Sequence, residues 1–364
     1  MHIIIVLKSF DSTRSVTLNL LKYTIGKFFS GYFAFVMATG ALSIALHLLG
    51  MESLSTSLLY MNTAAYIFLW ILTILRLVYY FPKFAADITS HENGPGFFTL
   101  VAGTCVFGSQ LIILTENVQV AKYLWFLGIF LWVIIMYVFF TAVTIRKDKP
   151  ALAEGINGAW LIAAVATQSI SILGTLLSGY VLHGNDILLF STLCMFLLGC
   201  MLYLNIITLI FYRFTFLKLK LSDLTPPYWI NMGAVAITTL AGSTLLLHAK
   251  KLPFLIELTP FLKGFTLFFW ITGTWWIPLL FILMIWRHLY HRYPLNYDPQ
   301  LWGMAFPLAM YTTSTFQLSK ALQMPFLLVI PKIMIFIAGA AWSAILLGML
   351  YHFYVNSKEY YESK

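Results

Sequence analysis

Long apolar segments separated by short polar turns run along almost the whole chain. A helix needs about 20 residues to cross the hydrocarbon core of a bilayer. Ten windows of at least that length are nearly free of charge: 28–50, 58–82, 96–115, 120–145, 158–183, 187–212, 228–248, 261–286, 299–321 and 327–355. Lipid offers no hydrogen bonds to exposed backbone groups, and the windows are too long and too uniformly apolar for barrel strands. The pattern therefore predicts an all-α membrane protein with ten transmembrane helices.

The same pattern predicts how the chain is divided. We expect a basic cytoplasmic segment at 1–27, a ten-helix transmembrane domain at 28–355 and a short cytoplasmic tail at 356–364. The composition agrees, because 60% of the residues are hydrophobic and only 10% are charged, which is too little polar surface to cover a soluble domain. The expected surroundings are therefore a lipid bilayer.

The positive charges are distributed unevenly between the two sides of the membrane. With ten spans both termini share one side, and 16 of the 22 Lys and Arg residues fall there. Such a bias predicts that this side is cytoplasmic and that the protein lies in the plasma (cytoplasmic) membrane. It also accounts for the net charge of +9 without a nucleic-acid partner. Arg76 and Arg213, near the cytoplasmic ends of their spans, are expected to extend to the surface.

Small and hydroxyl-bearing residues separate the spans into two sets. The odd-numbered spans hold 12 glycines and 21 serines or threonines, and the even-numbered spans hold 6 and 11. Glycine permits close helix packing, and hydroxyls need partners on neighbouring helices or in a wet cavity. We therefore expect five helical hairpins, with the odd helices inside, lining a central path, and the even helices shielding them. A tightly packed bundle without a path is the alternative.

The ionisable residues narrow the choice of function. All 13 acidic residues lie outside the spans, whereas proton-coupled and cation-coupled carriers usually keep a carboxylate at membrane depth. A path without carboxylates is compatible with anions, which a fixed negative charge would repel. The sequence has no zinc-protease motif, intramembrane aspartate pair or phosphate-binding glycine loop, so we expect no catalytic residues, no metal and no cofactor.

The ninth span, WGMAFPLAMYTTST, combines an apolar start with a run of hydroxyls. Pro307 has no amide hydrogen and crowds the carbonyl group of Gly303, so a bend is predicted there. A bent inner helix can turn a bulky side chain such as Phe306 toward the axis. The candidates for the lining of the path are Thr39, Gly40, Thr104, Thr167, Ser171, Thr238, Thr312 and Thr313.

Three stretches resemble the tellurite-resistance and dicarboxylate transporter family, which includes malate transporters and plant slow anion channels. They are FFSGYFAFVMATGALSIA in span one, PPYWINMGAVAITTLAG in span seven, and the stretch of span nine quoted above. The order of these stretches and their span numbers carry the resemblance. The entry to span three departs from the family pattern, because His91 and Pro95 are separated.

The resemblance implies a quasi-fivefold arrangement of hairpins around a central pore, a homotrimer, and a phenylalanine of the ninth helix that blocks the pore. By position that residue is Phe306, and the transported species would be small anions: four-carbon dicarboxylates such as malate, sulfite or monovalent ions. A proton-coupled dicarboxylate carrier with alternating access is the alternative, and a membrane-embedded enzyme is a third reading.

Overall fold

The computed structural model describes residues 25–26, 28–180 and 185–362, and all regular structure in this part of the chain is helical. The long helices are α1 (Phe33–Leu48), α2 (Glu52–Tyr79), α3 (Phe98–Thr115), α4 (Val118–Ile145), α5 (Ile162–Leu177), α6 (Asn185–Phe216), α7 (Ile230–His248), α8 (Thr259–Ile285), α9 (Trp302–Leu322) and α10 (Val329–Glu362). The predicted basic segment at 1–27 lies almost wholly outside the described residues. The predicted tail from 356 continues α10 as far as Glu362.

Nine helices of the described residues are long and apolar enough to cross a membrane. They coincide with every predicted span except the ninth, and they confirm an all-α membrane protein. The ninth window does form a helix, α9, of 21 residues. Its four consecutive hydroxyls at 312–315, with Gln317 and Lys320, make it less apolar than the others. That α9 also crosses the membrane stays a prediction.

Burial separates the helices into an inner and an outer set. In α1, α3, α5 and α7, 83% to 89% of the most apolar stretch is buried within the protein, against 22% to 39% in the even-numbered helices. The residues from Ala305 to Thr315 of α9 are all buried as well. The predicted division into inner odd helices and outer even helices is confirmed, and its cause is that small residues allow the inner helices to be surrounded on all sides.

The inner helices pack against one another in a closed ring. α1 contacts α3, α3 contacts α5, α5 contacts α7, α7 contacts α9, and α9 contacts α1 again. A single 3-10 turn precedes each inner helix, and these turns also contact one another in the same cyclic order. They are Ser30–Tyr32, Gly94–Phe97, Gly158–Leu161, Pro226–Trp229 and Pro299–Leu301. We call them the turn ring. Because all five starts meet there, the inner helices run parallel.

One hydrogen bond recurs around the ring. An aromatic side chain of each outer helix donates to the inner helix of the following hairpin. The five bonds are Tyr66 to Thr104 (3.1 Å), Trp132 to Thr167 (2.8 Å), Tyr203 to the carbonyl oxygen of Asn231 (3.5 Å), Trp270 to Thr315 (3.0 Å) and Trp342 to Thr39 (3.1 Å). Tyrosine and tryptophan suit this position because a buried O–H or N–H group needs an acceptor. These bonds tie adjacent hairpins together.

A double-mutant cycle tests whether this recurring bond stabilises the fold. We expect Trp342→Phe and Thr39→Val to show a coupling free energy of about 0.6 kcal/mol, the usual size of such bonds in membrane proteins. The measurement is the free energy of unfolding in mixed micelles. Trp275→Phe is the control, because this indole lies on α8 and is 51% exposed. Strictly additive effects of the two changes would show that the bond contributes nothing.

The expectation for Arg76 and Arg213 is wrong, because both are buried, at 4% and 5% exposure. Arg76 pairs with Asp87 on the short helix that follows α2. Arg213 pairs with Asp223 at 3.6 Å and donates to the carbonyl oxygen of Ile156. The nearby carboxylates offset the cost of burial. Both arginines therefore fasten an outer helix to a connecting segment.

Candidate functional site

The contacts of its neighbours in α9 indicate that Phe306 lies on the face that points into the ring. Each residue of an α-helix is rotated by about 100° from the previous one, so Thr315, nine positions later, lies on the opposite face. Thr315 accepts the bond from Trp270 of the outer helix α8. Pro307 packs on the neighbouring inner helix α7, where a Cβ atom added to Gly233 would lie 2.7 Å from the proline ring. With the outer layer behind it, the side chain of Phe306 faces inward.

The ring of Phe306 is enclosed by protein, with only 1% of the residue exposed. Met310, one turn further on and on nearly the same face, is 2% exposed. Two bulky apolar side chains thus occupy the interior at this level. Phe306 is therefore almost inaccessible to water in this conformation. An apolar constriction of this kind raises the barrier to ions.

The two glycines among the candidate residues, Gly303 at the predicted bend and Gly40 in α1, have different surroundings. Pro307 lies inside α9 and leaves the carbonyl group of Gly303 without its usual helical donor. A Cβ atom on Gly303 would lie no closer than 3.5 Å to Ile230, so this glycine has room around it. A Cβ atom on Gly40 would lie 2.9 Å from Val106 and 3.1 Å from the amide of Asn62. Gly40 therefore serves close packing between α1, α2 and α3.

Four of the candidate hydroxyls contact the outer helices. Thr39, Thr104 and Thr167 accept the recurring aromatic hydrogen bonds. Ser171 donates to the carbonyl oxygen of Thr192 on α6 at 2.7 Å. All four are fully buried. These contacts favour a role in helix packing, and their predicted role in lining a path stays a prediction.

The other three candidate hydroxyls bond to their own helices. Thr238 donates to Ala234, and Thr312 donates to Leu308, at 2.7 and 2.9 Å. Thr313 contacts the carbonyl oxygens of Ala309 in its own helix and of Ala41 in α1, at 3.2 and 3.3 Å. Seven residues separate Thr313 from Phe306, and two turns of helix bring them to nearly the same face. Of the three, Thr313 is thus the one aligned with the inward-facing phenylalanine.

At the end opposite the turn ring, three inner helices border a cavity of about 350 Å³. Its lining includes Ile113 of α3 and Glu116 directly after it, Leu176 of α5 and His248 of α7. The Nδ1 atom of His248 lies 2.9 Å from the carbonyl oxygen of Thr244 and donates to it, because a carbonyl can only accept. The sequence analysis did not identify this histidine. Its signal was a lone imidazole at the end of an odd span.

The interior carries hydroxyls and amides but no buried carboxylate among the described residues. Two amides, Asn62 and Gln110, are 2.7 Å apart and join α2 to α3.

The described part of the chain also holds no cluster of His, Cys, Asp and Glu that suits a metal ion. At the turn ring, burial next to Arg146 and Lys149 lowers the pKa of His91.

The comparisons with known proteins cover most of the chain. A family described as SLAC1, voltage-dependent anion channel, matches residues 27–350. An uncharacterized membrane protein of Mycobacterium tuberculosis is 38% identical over 151 residues, which are 42% of this chain and 76% of that protein. Two uncharacterized transporters of Methanocaldococcus jannaschii are 27% and 26% identical over 303 and 304 residues. They align with 80% of this chain, and the matches cover 84% and 83% of the transporters.

The family match extends from the turn before α1 into α10, so it includes all five inner helices. It also confirms the resemblance carried by spans one, seven and nine. The chain therefore belongs to the SLAC1 family, which comprises tellurite-resistance and dicarboxylate transporters and slow anion channels.

Proposed function

We propose that this protein conducts small anions through a path along the axis of the inner ring, with Phe306 as the gate. The observation that carries the proposal is that Phe306 is 1% exposed on an inner helix of a closed ring, on the face opposite Thr315, which contacts the outer layer. A single apolar side chain at a neck can open or close a path without moving helices. In this proposal ten transmembrane helices form five hairpins in a quasi-fivefold arrangement, and Gly303 and Pro307 set the direction of the gate.

Two features support a preference for anions. All five inner helices begin at the turn ring, and a helix carries a partial positive charge at its N-terminus. The buried interior of the described residues holds no carboxylate that would repel an anion. Together they give the interior a positive entrance and a neutral wall. Thr313, on the face of Phe306, is the hydroxyl best placed to donate to a partly dehydrated anion.

The substrates that we propose are monovalent anions, sulfite or four-carbon dicarboxylates such as malate. Proton-coupled transport by alternating access is the second candidate, and the absence of a buried carboxylate among the described residues argues against it. We further propose a homotrimer in the plasma membrane with cytoplasmic termini and the turn ring on the cytoplasmic side.

Ion substitution across a planar bilayer tests the proposal. We expect currents whose reversal potential follows the anion gradient and does not move when the cation is changed. A channel also passes single-channel currents, whereas a carrier saturates at a low rate and accumulates substrate when a pH gradient is imposed. Reversal at the potassium or proton potential would exclude anion conduction.

A further inference from the structure

A cavity of about 630 Å³ lies near the turn ring, between the end of α8 and the segment that leads into α9. Its volume is typical of sites that enclose a small organic ligand. Most of the lining is apolar and comes from the segment before α7, from the last turns of α8, and from the segment between α8 and the first turn of α9. Representative members are Leu224, Trp229, Leu283, Met284, Leu301 and Met304. The mechanism proposed above makes no use of this space.

Irregular backbone forms the polar wall of the cavity. After α8 the chain makes a π-helical turn at Trp286–Tyr290, and it then turns at Arg292, which has a φ of 51° and is not part of the lining. The guanidinium of Arg287 lies 4.3 Å from the centre of the Tyr293 ring. The Nδ1 atom of His288 lies 2.8 Å from the carbonyl oxygen of Tyr293. Such π-helical turns are frequent at functional sites, and here one holds an arginine against the cavity.

Arg287 lacks the acidic partner that two similarly placed arginines have among the described residues. Arg76 at the end of α2 pairs with Asp87, and Arg213 at the end of α6 pairs with Asp223. Arg287 follows the end of α8 and donates to the neutral carbonyl oxygen of Leu224, but no carboxylate of the described residues lies within 4.0 Å of its guanidinium. A partly buried cation without an anion is costly. An acidic group supplied by a ligand would complete the pattern.

Two buried hydrogen-bond donors of the polar wall also lack an acceptor among the described residues. The Nε atom of Arg287 and the hydroxyl of Tyr297 are buried and have no hydrogen-bond partner among the described residues. Asp298, the acidic residue of the lining, caps the backbone instead and accepts from the amide of Gln300 at 2.7 Å. The polar wall therefore offers unused donors next to a large apolar surface. That combination suits a ligand with one acidic group and a long apolar body.

We propose that this cavity binds an amphiphilic organic anion, with its acidic head group on Arg287 and its hydrocarbon chain against the leucines and methionines of the lining. A fatty acid or the head and one chain of an anionic phospholipid has this chemistry. Met304 lies two residues before Phe306, so such a ligand contacts the same turn of α9 as the proposed gate. The proposal rests on the cavity and its charge, and it does not depend on transport.

Saturable binding of radiolabelled dodecanoate to the full chain in an uncharged detergent tests the site. We expect Arg287→Gln to weaken binding by about tenfold or more, because a hydrogen bond to a charged group is lost. Arg292→Gln removes a neighbouring charge outside the lining and is expected to bind normally. Met284→Trp keeps the arginine and fills the cavity, so it should also abolish binding. This second variant keeps the test valid if Arg287→Gln folds poorly.

Competitors separate the possible ligands. Dodecanol, which lacks the acid, and acetate, which lacks the chain, are expected to compete poorly with dodecanoate. Competition by phosphatidylglycerol would indicate that the site binds a membrane lipid. Failure of phosphatidylglycerol to compete would indicate that the site binds a free fatty acid. Equal binding by wild type and both lining variants, or equal competition by dodecanol or acetate, would overturn the proposal. The assay involves no transport, so its failure leaves anion conduction untouched.

Discussion

Replacing Phe306 with alanine is expected to raise the anion flux of reconstituted protein by about tenfold or more, since each tenfold corresponds to about 1.4 kcal/mol of barrier. The physical reason is that the phenyl ring fills the interior between inner helices, and its removal admits water that keeps an anion solvated. Phe306→Leu leaves part of the apolar volume and should give an intermediate flux. The measurement is chloride efflux from proteoliposomes at matched protein density.

Phe336→Ala is the matched control for this experiment. Phe336 lies on the outer helix α10 and is 68% exposed, so its loss changes the surface of the protein and not the ring. Its flux should equal that of the wild type. If Phe306→Ala elutes as folded protein and its flux is also unchanged, Phe306 is not the gate.

Gly158→Ala is expected to destabilise the fold by about 1–3 kcal/mol or more, the usual cost of forcing an extra group into a packed site. A Cβ atom here would lie 2.2 Å from the carbonyl oxygen of Pro227 and 2.7 Å from the Cα atom of Tyr228. Both are backbone atoms of the adjacent member of the turn ring, so no side-chain rotation relieves the clash. The midpoint of thermal unfolding in detergent should fall by about 1–4 °C.

Gly339→Ala gives the opposite sign and serves as the control. No atom of another helix among the described residues lies within 4 Å of a Cβ placed on this glycine in α10, and alanine in a helix interior is more stable than glycine by about 0.5–1 kcal/mol. Its thermal midpoint should stay the same or rise. Equal midpoints for Gly158→Ala and the wild type would mean that the turn ring adapts more easily than its contacts indicate.

Much of the fold was predictable, because lipid imposes helices and the content of small residues separates inner from outer helices. The direction of individual side chains was not. An inner helix is buried all round, so its apolar residues do not reveal which face meets the axis. Thr39 and Thr167 were therefore grouped with Thr313, although the first two contact outer helices and Thr313 shares the face of Phe306.

The arginines show a second limit. Snorkelling is the usual fate of an arginine near a helix end, and from the sequence Arg76 fitted it. Its burial depends on Asp87, eleven residues later, and on the short helix that folds this carboxylate back. Tertiary contacts of this kind leave no local pattern in the chain. For the same reason the sequence does not reveal that Arg287 differs from Arg76 and Arg213, which each pair with a carboxylate in the structure.

The closed ring of five inner helices has a consequence for the mechanism. Transporters that rock one half against the other need a plane that divides them into two equivalent bundles. An odd number of similar units has no such plane, and any cut through this ring would separate helices that an aromatic hydrogen bond joins. We therefore expect the proposed path to open by a local rotation of one side chain and not by rigid-body switching.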